Sequence, residues 1–149
     1  MTTVTSPLTG VAVGLSAVPD PVFSAAMVGP GTAVDPVRQR IEAVSPVEGI
    51  IVSLHPHAFV VVDADGHGLL THLGIDTVQL NGEGFELLAA KGDTVERGQP
   101  LVRWDPSAIE QAGKSPISPV IALEAASDSL AAVLEEGVVD TGTTLFKWK

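Results

Sequence analysis

One stretch of this chain occurs twice. Residues 6–15 read SPLTGVAVGL and residues 45–54 read SPVEGIIVSL, with Ser, Pro, Gly, Val and Leu identical at five of ten positions. Each copy reads as a Pro-led turn, a Gly that permits positive φ or close backbone approach, and a short apolar strand. Two copies 39 residues apart point to a duplicated β motif, since a solenoid needs about three or more repeats. The expected fold is therefore all-β, an antiparallel sandwich or barrel with short helical turns. The 15 Gly and 11 Pro agree, because they are spread along the whole chain and punctuate many short elements.

The remaining pattern fits one domain over residues 1–149, with its core over about 6–149. Hydrophobic residues supply 45% of the chain but aromatics only 4%, so Val, Leu, Ile and Ala must build the core. In KGDTVERGQPLVRW (Lys91 to Trp104), Gly92-Asp93 and Gly98 should separate strands at Thr94-Val95 and Pro100–Trp104. Helical signals are short. They cover Asp20 to Met27, Ser107 to Ala112 with Ser107 as the cap, and Ala125 to Glu136 as helix or turns.

Composition excludes several functions. The formal charge is −10, and the eight basic residues form no patch, which argues against nucleic acid and anionic membrane as partners. The same charge would steer a partner with a basic rim. With no cysteine, there are no disulfides, thiolate metal sites or thiol nucleophiles. The start, MTTVTSPLTG, lacks the pattern of a signal peptide. No apolar run approaches the ~20 residues of a membrane span. A cytoplasmic protein is expected.

Chemistry concentrates between Leu54 and Phe85, LHPHAFVVVDADGHGLLTHLGIDTVQLNGEGF. Two apolar runs, His57 to Val62 and Leu69 to Leu73, flank Asp63-Ala64-Asp65-Gly66 and read as a β-hairpin. If Asp63–Gly66 forms the turn, His72 falls opposite His57. If Asp65-Gly66 alone does, His72 falls opposite Phe59. Either register puts both histidines on one face with Phe59, Val61 and Leu70; only an odd-numbered loop or a bulge would separate them. Apolar surroundings favour neutral, nucleophilic imidazoles. One ring could attack phosphorus while the other donates to the phosphoryl oxygens. The pattern leaves this reading level with two others: structural histidines, and a metal site built from His55, His57 and His72. His67, in the turn, reads as solvent-exposed and unrelated.

The residues themselves resemble a known family. HAF at His57–Phe59, followed by HLGIDTVQLNGEGF at His72–Phe85, is similar to the glucose-type enzyme IIA domain of the bacterial phosphoenolpyruvate-dependent sugar phosphotransferase system. The likeness runs from SPLTG (Ser6–Gly10) through VPDPVF, VGPGTAVDP and SPVEG to GTTLFKWK. It implies a β-sandwich of a duplicated hybrid motif and a phosphotransferase component acting through phosphohistidine, without a cofactor or a required metal. The second histidine of the pair, His72, would accept the phosphoryl group from the phosphocarrier HPr on Nε2 and pass it to the IIB domain of a sugar permease. The carbonyl of Gly74 would hold Nδ1, and His57 would stabilise the phosphoryl group without carrying it. Asp20 and Asp76 would meet basic groups of the partner, within an apolar ring of Val22, Phe23, Phe59 and Leu70. Regulatory protein targets are implied as an added role. The identity of the sugar lies with the permease.

The chain departs from that pattern at His55, where the family often has threonine in a hydrogen-bond network with the pair. Its imidazole either serves that network or changes the proton balance of the site. Leu70 replaces a common phenylalanine. Only Met1–Thr5 precede the expected domain, which puts the membrane-anchoring role of enteric members in doubt here, and a stand-alone monomer is expected. Two rival readings remain. His55-Pro-His57 imitates the HxH of zinc hydrolases, but no HxxxD precedes it. GDTVERGQPLV suggests a lipoyl- or biotinyl-type carrier, but Lys91 lies outside the hairpin-tip motif such a domain needs.

Overall fold

The computed structural model describes all residues, Met1–Lys149. Its strands, in chain order, are β1 (Thr2–Thr5), β2 (Gly10–Ala12), β3 (Gly31–Pro36), β4 (Ile41–Val44), β5 (Gly49–His55), β6 (Ala58–Val62), β7 (Gly68–His72), β8 (Phe85–Leu87), β9 (Thr94–Val95), β10 (Pro100–Trp104), β11 (Ser118–Ala122), β12 (Leu130–Ala131), β13 (Val138–Val139) and β14 (Thr144–Trp148). Two short helices, α1 (Pro21–Ser24) and α2 (Pro106–Gln111), interrupt them. An eight-stranded sheet runs β13-β2-β3-β11-β7-β6-β5-β9, and two three-stranded sheets run β1-β14-β12 and β4-β10-β8. All pairings are antiparallel.

The repeated sequence is a repeated structure. Ser6 and Ser45 are both fully buried, and each hydroxyl donates to a carbonyl two residues on, Leu8 and Val47, at 2.6 Å. Their backbone amides donate to equivalent loops, Ser6 to Thr143 and Ser45 to Gln99. Gly10 and Gly49 then open β2 and β5, where a Cβ would collide with the carbonyl oxygen of Asp35 or Val62 on the neighbouring strand. That close approach is why both copies need Gly. The duplication also reaches further than SPxxG. β1 leads into the first copy and pairs with β14; β4 leads into the second and pairs with β10. The β14 and β10 segments correspond too, GTTLFKW against GQPLVRW.

One core is shared by all three sheets. Val4, Phe146 and Trp148 come from the first small sheet, and Ala43, Leu101 and Trp104 from the second. Ile51, Phe59, Val61, Leu69 and Val120 come from one face of the large sheet. Strand alternation sends the intervening residues to the other face. There Ala33 and Ile121 join Leu15, Val18, Phe23 and Ile75 in a smaller cluster, with Leu70 packed against it. The centre of the large sheet is thus covered on both sides, and His72 lies beside Phe23 of the smaller cluster.

The helical expectations shrink. Of Asp20 to Met27, only Pro21–Ser24 is α-helical, with Asp20 as its cap. The second helix is capped by Asp105, whose carboxylate accepts from the Ser107 amide at 2.9 Å, so Ser107 is capped rather than capping. Ala125 to Glu136 contains only a 3-10 turn, Ser127–Ser129, and the short edge strand β12. The reason is tertiary: β12 pairs with β14, and the Leu134 amide donates to the Leu145 carbonyl at 2.8 Å. His67, expected to stand free, is half-buried and stacks on Trp148 with ring centroids 3.9 Å apart. Its Nδ1 lies 2.9 Å from the Thr2 hydroxyl, which also bonds the Asp63 carboxylate.

Because the Gly49 contact is backbone against backbone, it has no soft partner to give way. Gly49→Ala is expected to cost at least about 1–3 kcal/mol, read as a lower urea midpoint with an unchanged slope. Ser45→Ala, which loses one buried hydroxyl bond, should cost about 1 kcal/mol.

Candidate functional site

The hairpin that carries the histidines has a loop of five residues, Asp63–His67, between β6 and β7. Asp63 builds it: its carboxylate accepts from the amides of Asp65 at 3.0 Å and His67 at 2.9 Å. An odd loop changes the register from both alternatives expected above. Val62 pairs with Gly68, and His72 stands opposite Ala58 rather than His57 or Phe59. Phe59 therefore faces away from His72, fully buried in the large core. It lines no partner surface, and Val61 follows it inward. Leu70 keeps the face of His72.

The two histidines nevertheless meet. His57 is not a strand residue; it is the second residue of the Pro56-His57 turn between β5 and β6. Its carbonyl accepts from the Leu73 amide at 2.7 Å, which ties the turn to the end of β7. The His57 and His72 rings lie edge to face with centroids 5.3 Å apart. Strand parity would have separated them, and the turn restores the contact.

A feature that composition did not suggest sets up this turn. Between Ile51 and Ser53 the β5–β6 register slips by one residue, a β-bulge at Val52. Ile51 and Leu54, three apart, therefore both pack on the large core, and His55 turns to the face of His72. Had the upstream register continued past Ile51, Leu54 rather than His55 would pair with Ala58 and three residues would be left for the turn.

His72 is held on three sides. Its Nδ1 lies 2.5 Å from the Gly74 carbonyl oxygen. A carbonyl can only accept, so Nδ1 carries the hydrogen and Nε2 presents a lone pair. Gly74 has φ 79°, and a Cβ there would meet the Thr77 side chain and the Ser115 carbonyl. The loop is pinned further by Gly74 N to Ser118 Oγ at 3.2 Å, Ile75 N to Ser115 O at 2.9 Å, and Thr77 Oγ1 to Leu73 O at 2.8 Å. Phe23 of α1 packs its ring 5.2 Å from that of His72. Ser115 and Ser118 support the site but had no motif of their own; only their pairing with the Gly74 loop identifies them.

Burial pushes the imidazoles of both His72 and His57 below the usual histidine range. For His72 the Gly74 bond and the charges of Asp20 and Asp76 oppose that push. For His57, His72 and then His55 add to it by like-charge repulsion. Asp20 precedes α1, where its side chain accepts from Val22 N at 2.9 Å, and Asp76 follows Ile75 with φ 60°. Val22 and Val78 expose apolar surface beside these carboxylates in sequence. Val78 escaped the sequence reading because a lone valine carries no pattern. The site is thus one ring with Nε2 left free, a second ring beside it, and two carboxylates within electrostatic reach.

Comparison with known proteins agrees with this geometry. The family model described as phosphoenolpyruvate-dependent sugar phosphotransferase system, EIIA 1, matches residues 2–127. The chain belongs to that family. It is 40% identical over 141 residues to a Staphylococcus aureus protein named PTS system glucose-specific EIIA component, covering 93% of this chain and 84% of that one. It is 42% identical over 142 residues to the glucoside-specific EIICBA component of Staphylococcus carnosus, covering 94% of this chain but 20% of that much longer relative. Among solved structures, the glucose permease IIA of Mycoplasma capricolum matches with a TM-score of 0.88 at 32% identity, covering 97% of this chain and 93% of that one. The antiparallel sheets described above are accordingly the fold shared with that glucose permease IIA.

The zinc-hydrolase alternative is not favoured by these matches or by the geometry. The one group of three side chains whose ligand atoms converge within 4.8 Å is Asp63, Asp65 and His67 on the far loop, not His55, His57 and His72.

Replacing both carboxylates should expose their effect on His72. In Asp20→Asn/Asp76→Asn, removal of two negative charges leaves burial less opposed. The His72 titration midpoint, followed by NMR of its ring protons, is expected to fall further below the ordinary value, with each single variant falling less.

Proposed function

We propose that this EIIA-family chain relays phosphoryl groups through His72, taking them from phospho-HPr and passing them to the IIB domain of a sugar permease. The observation that carries the assignment is the bond from His72 Nδ1–H to the Gly74 carbonyl, because it leaves Nε2 as the free nucleophile.

The step balances simply. The Nε2 lone pair of neutral His72 attacks phosphorus as the bond from phosphorus to the donor breaks. The ring becomes a phosphoimidazolium that still carries its Nδ1 hydrogen. The Gly74 carbonyl, Asp20 and Asp76 offset the new positive charge, which also makes the imidazole a good leaving group in the onward step. His57 can donate its ring N–H to the phosphoryl oxygens. Asp20, Asp76, Val22 and Leu70 form the rim and apolar surroundings offered to the partners, and Phe23 backs the ring. No cofactor is required by this scheme. No helix is long and apolar enough to cross a membrane, and a relay fed by HPr is read as cytoplasmic. The chain is read as one functional unit over residues 1–149.

Incubation with phosphoenolpyruvate, enzyme I and HPr should label the protein with acid-labile, alkali-stable phosphate. His72→Ala should abolish the label. His57→Ala should still accept phosphate but pass it to IIB about 10²–10³-fold more slowly. A wild-type protein that takes no label, or a label that survives in His72→Ala, would sink the assignment.

A further inference from the structure

The relay reading leaves His55 without a role, and the structure gives it a place of its own. It is the last residue of β5 and pairs with Ala58, which in turn pairs with His72. The three form one cross-strand row on the same face of the sheet, with His55 and His72 at its ends. Two strand spacings put the backbones of those ends roughly 10 Å apart. Between them Ala58 contributes only a methyl group. The His57 ring, entering from the turn, neighbours both: its centroid lies 5.8 Å from that of His55, stacked at 28°, and 5.3 Å from that of His72.

No side-chain hydrogen bond to another protein group fixes the His57 ring, whereas His72 has its Gly74 bond. The turn backbone is braced, by the His57 carbonyl bond to Leu73 and by Pro56, whose Cγ would lie 3.3 Å from a Cβ on Gly82. The ring beyond that backbone is confined only by its neighbours.

We propose that His55 is a positioning residue for phosphoryl transfer: it stacks on the side of His57 away from His72 and confines that ring where its N–H meets a phosphoryl group on His72. The proposal rests on the relay reading above and adds to it a third imidazole that touches no phosphate. The bulge at Val52 is then part of the machinery, because it brings His55 to this face. The titratable or charged groups around His57 are His55, His72 and, beyond His72, Asp20 and Asp76. Glu83 follows the Gly82 that packs on Pro56.

Two substitutions test the idea on the full chain. His55→Ala removes the stacking ring, while His55→Phe keeps a flat ring and removes its nitrogens. In the unphosphorylated protein, nuclear Overhauser contacts between the ring protons of His57 and His72 should be strong in wild type and His55→Phe and weakened in His55→Ala. In the relay assay, His55→Ala should accept phosphate normally and transfer it to IIB about three- to tenfold more slowly, with His55→Phe restoring most of the rate. With His55 gone, one repulsive charge is lost, so the His57 titration midpoint should rise in both variants. Unchanged ring contacts in His55→Ala, or transfer as slow in His55→Phe as in His55→Ala, would overturn the proposal. If wild type itself takes no phosphate, the relay reading and the transfer role fall together. The ring contacts, measured without phosphate, still report whether His55 positions His57.

Discussion

Parity governs this molecule. A strand residue points to one face or the other, and the large sheet keeps its broad core on one face and its chemistry on the other. Every functional side chain depends on being delivered to the second face. Two irregularities do the delivering: the odd loop that Asp63 organises and the bulge at Val52. The loop sets His72 opposite Ala58; the bulge brings His55 into the same row and leaves two residues for the turn that presents His57. Moving either by one residue would send these imidazoles into Val, Leu and Trp, where no charged intermediate could be held.

The chemistry follows from unequal support given to similar rings. His72 is fixed by a hydrogen bond, an aromatic neighbour and a pinned loop, so it can carry a covalent group at a defined atom. His57 sits in a turn against two other rings, so it can respond to what His72 carries. Burial pushes both below the usual histidine range, while Asp20 and Asp76 counter it at His72. A relay needs this balance: a ring too easily protonated would not attack, and one too strongly buried would not tolerate the charge that attack creates.

Much of this was legible in the residues. The echoed SPxxG announced duplication, because a buried Ser-centred turn and a glycine pressed against a neighbouring carbonyl leave few alternatives. Strands at Thr94-Val95 and Pro100–Trp104 were bounded by their glycines. Other features were settled by distant contacts. Ala125 to Glu136 has helix formers, yet β14 recruits part of it as an edge. Whether the Asp63 loop held four residues or five turned on a carboxylate reaching two backbone amides, which composition does not reveal. The bulge at Val52 sits in the run Ile50–Leu54, apolar except for Ser53, where one extra residue leaves no mark. The nearness of His57 and His72 was therefore expected for the wrong reason: cross-strand pairing was invoked, and a turn supplies it.

The ends of the chain are placed by the same framework. Thr2 pairs with Trp148 across β1 and β14, and the Thr2 hydroxyl bonds Asp63, with His67 stacked on Trp148 beside it. His67 opens onto β7, and His72 closes that strand some 13–17 Å away. Both termini are thus gathered at the pole of the molecule remote from the His72 ring. A tether grafted to either end would leave from that pole and trail behind the domain, so the His72 face could swing between a donor and an acceptor without the leash crossing it.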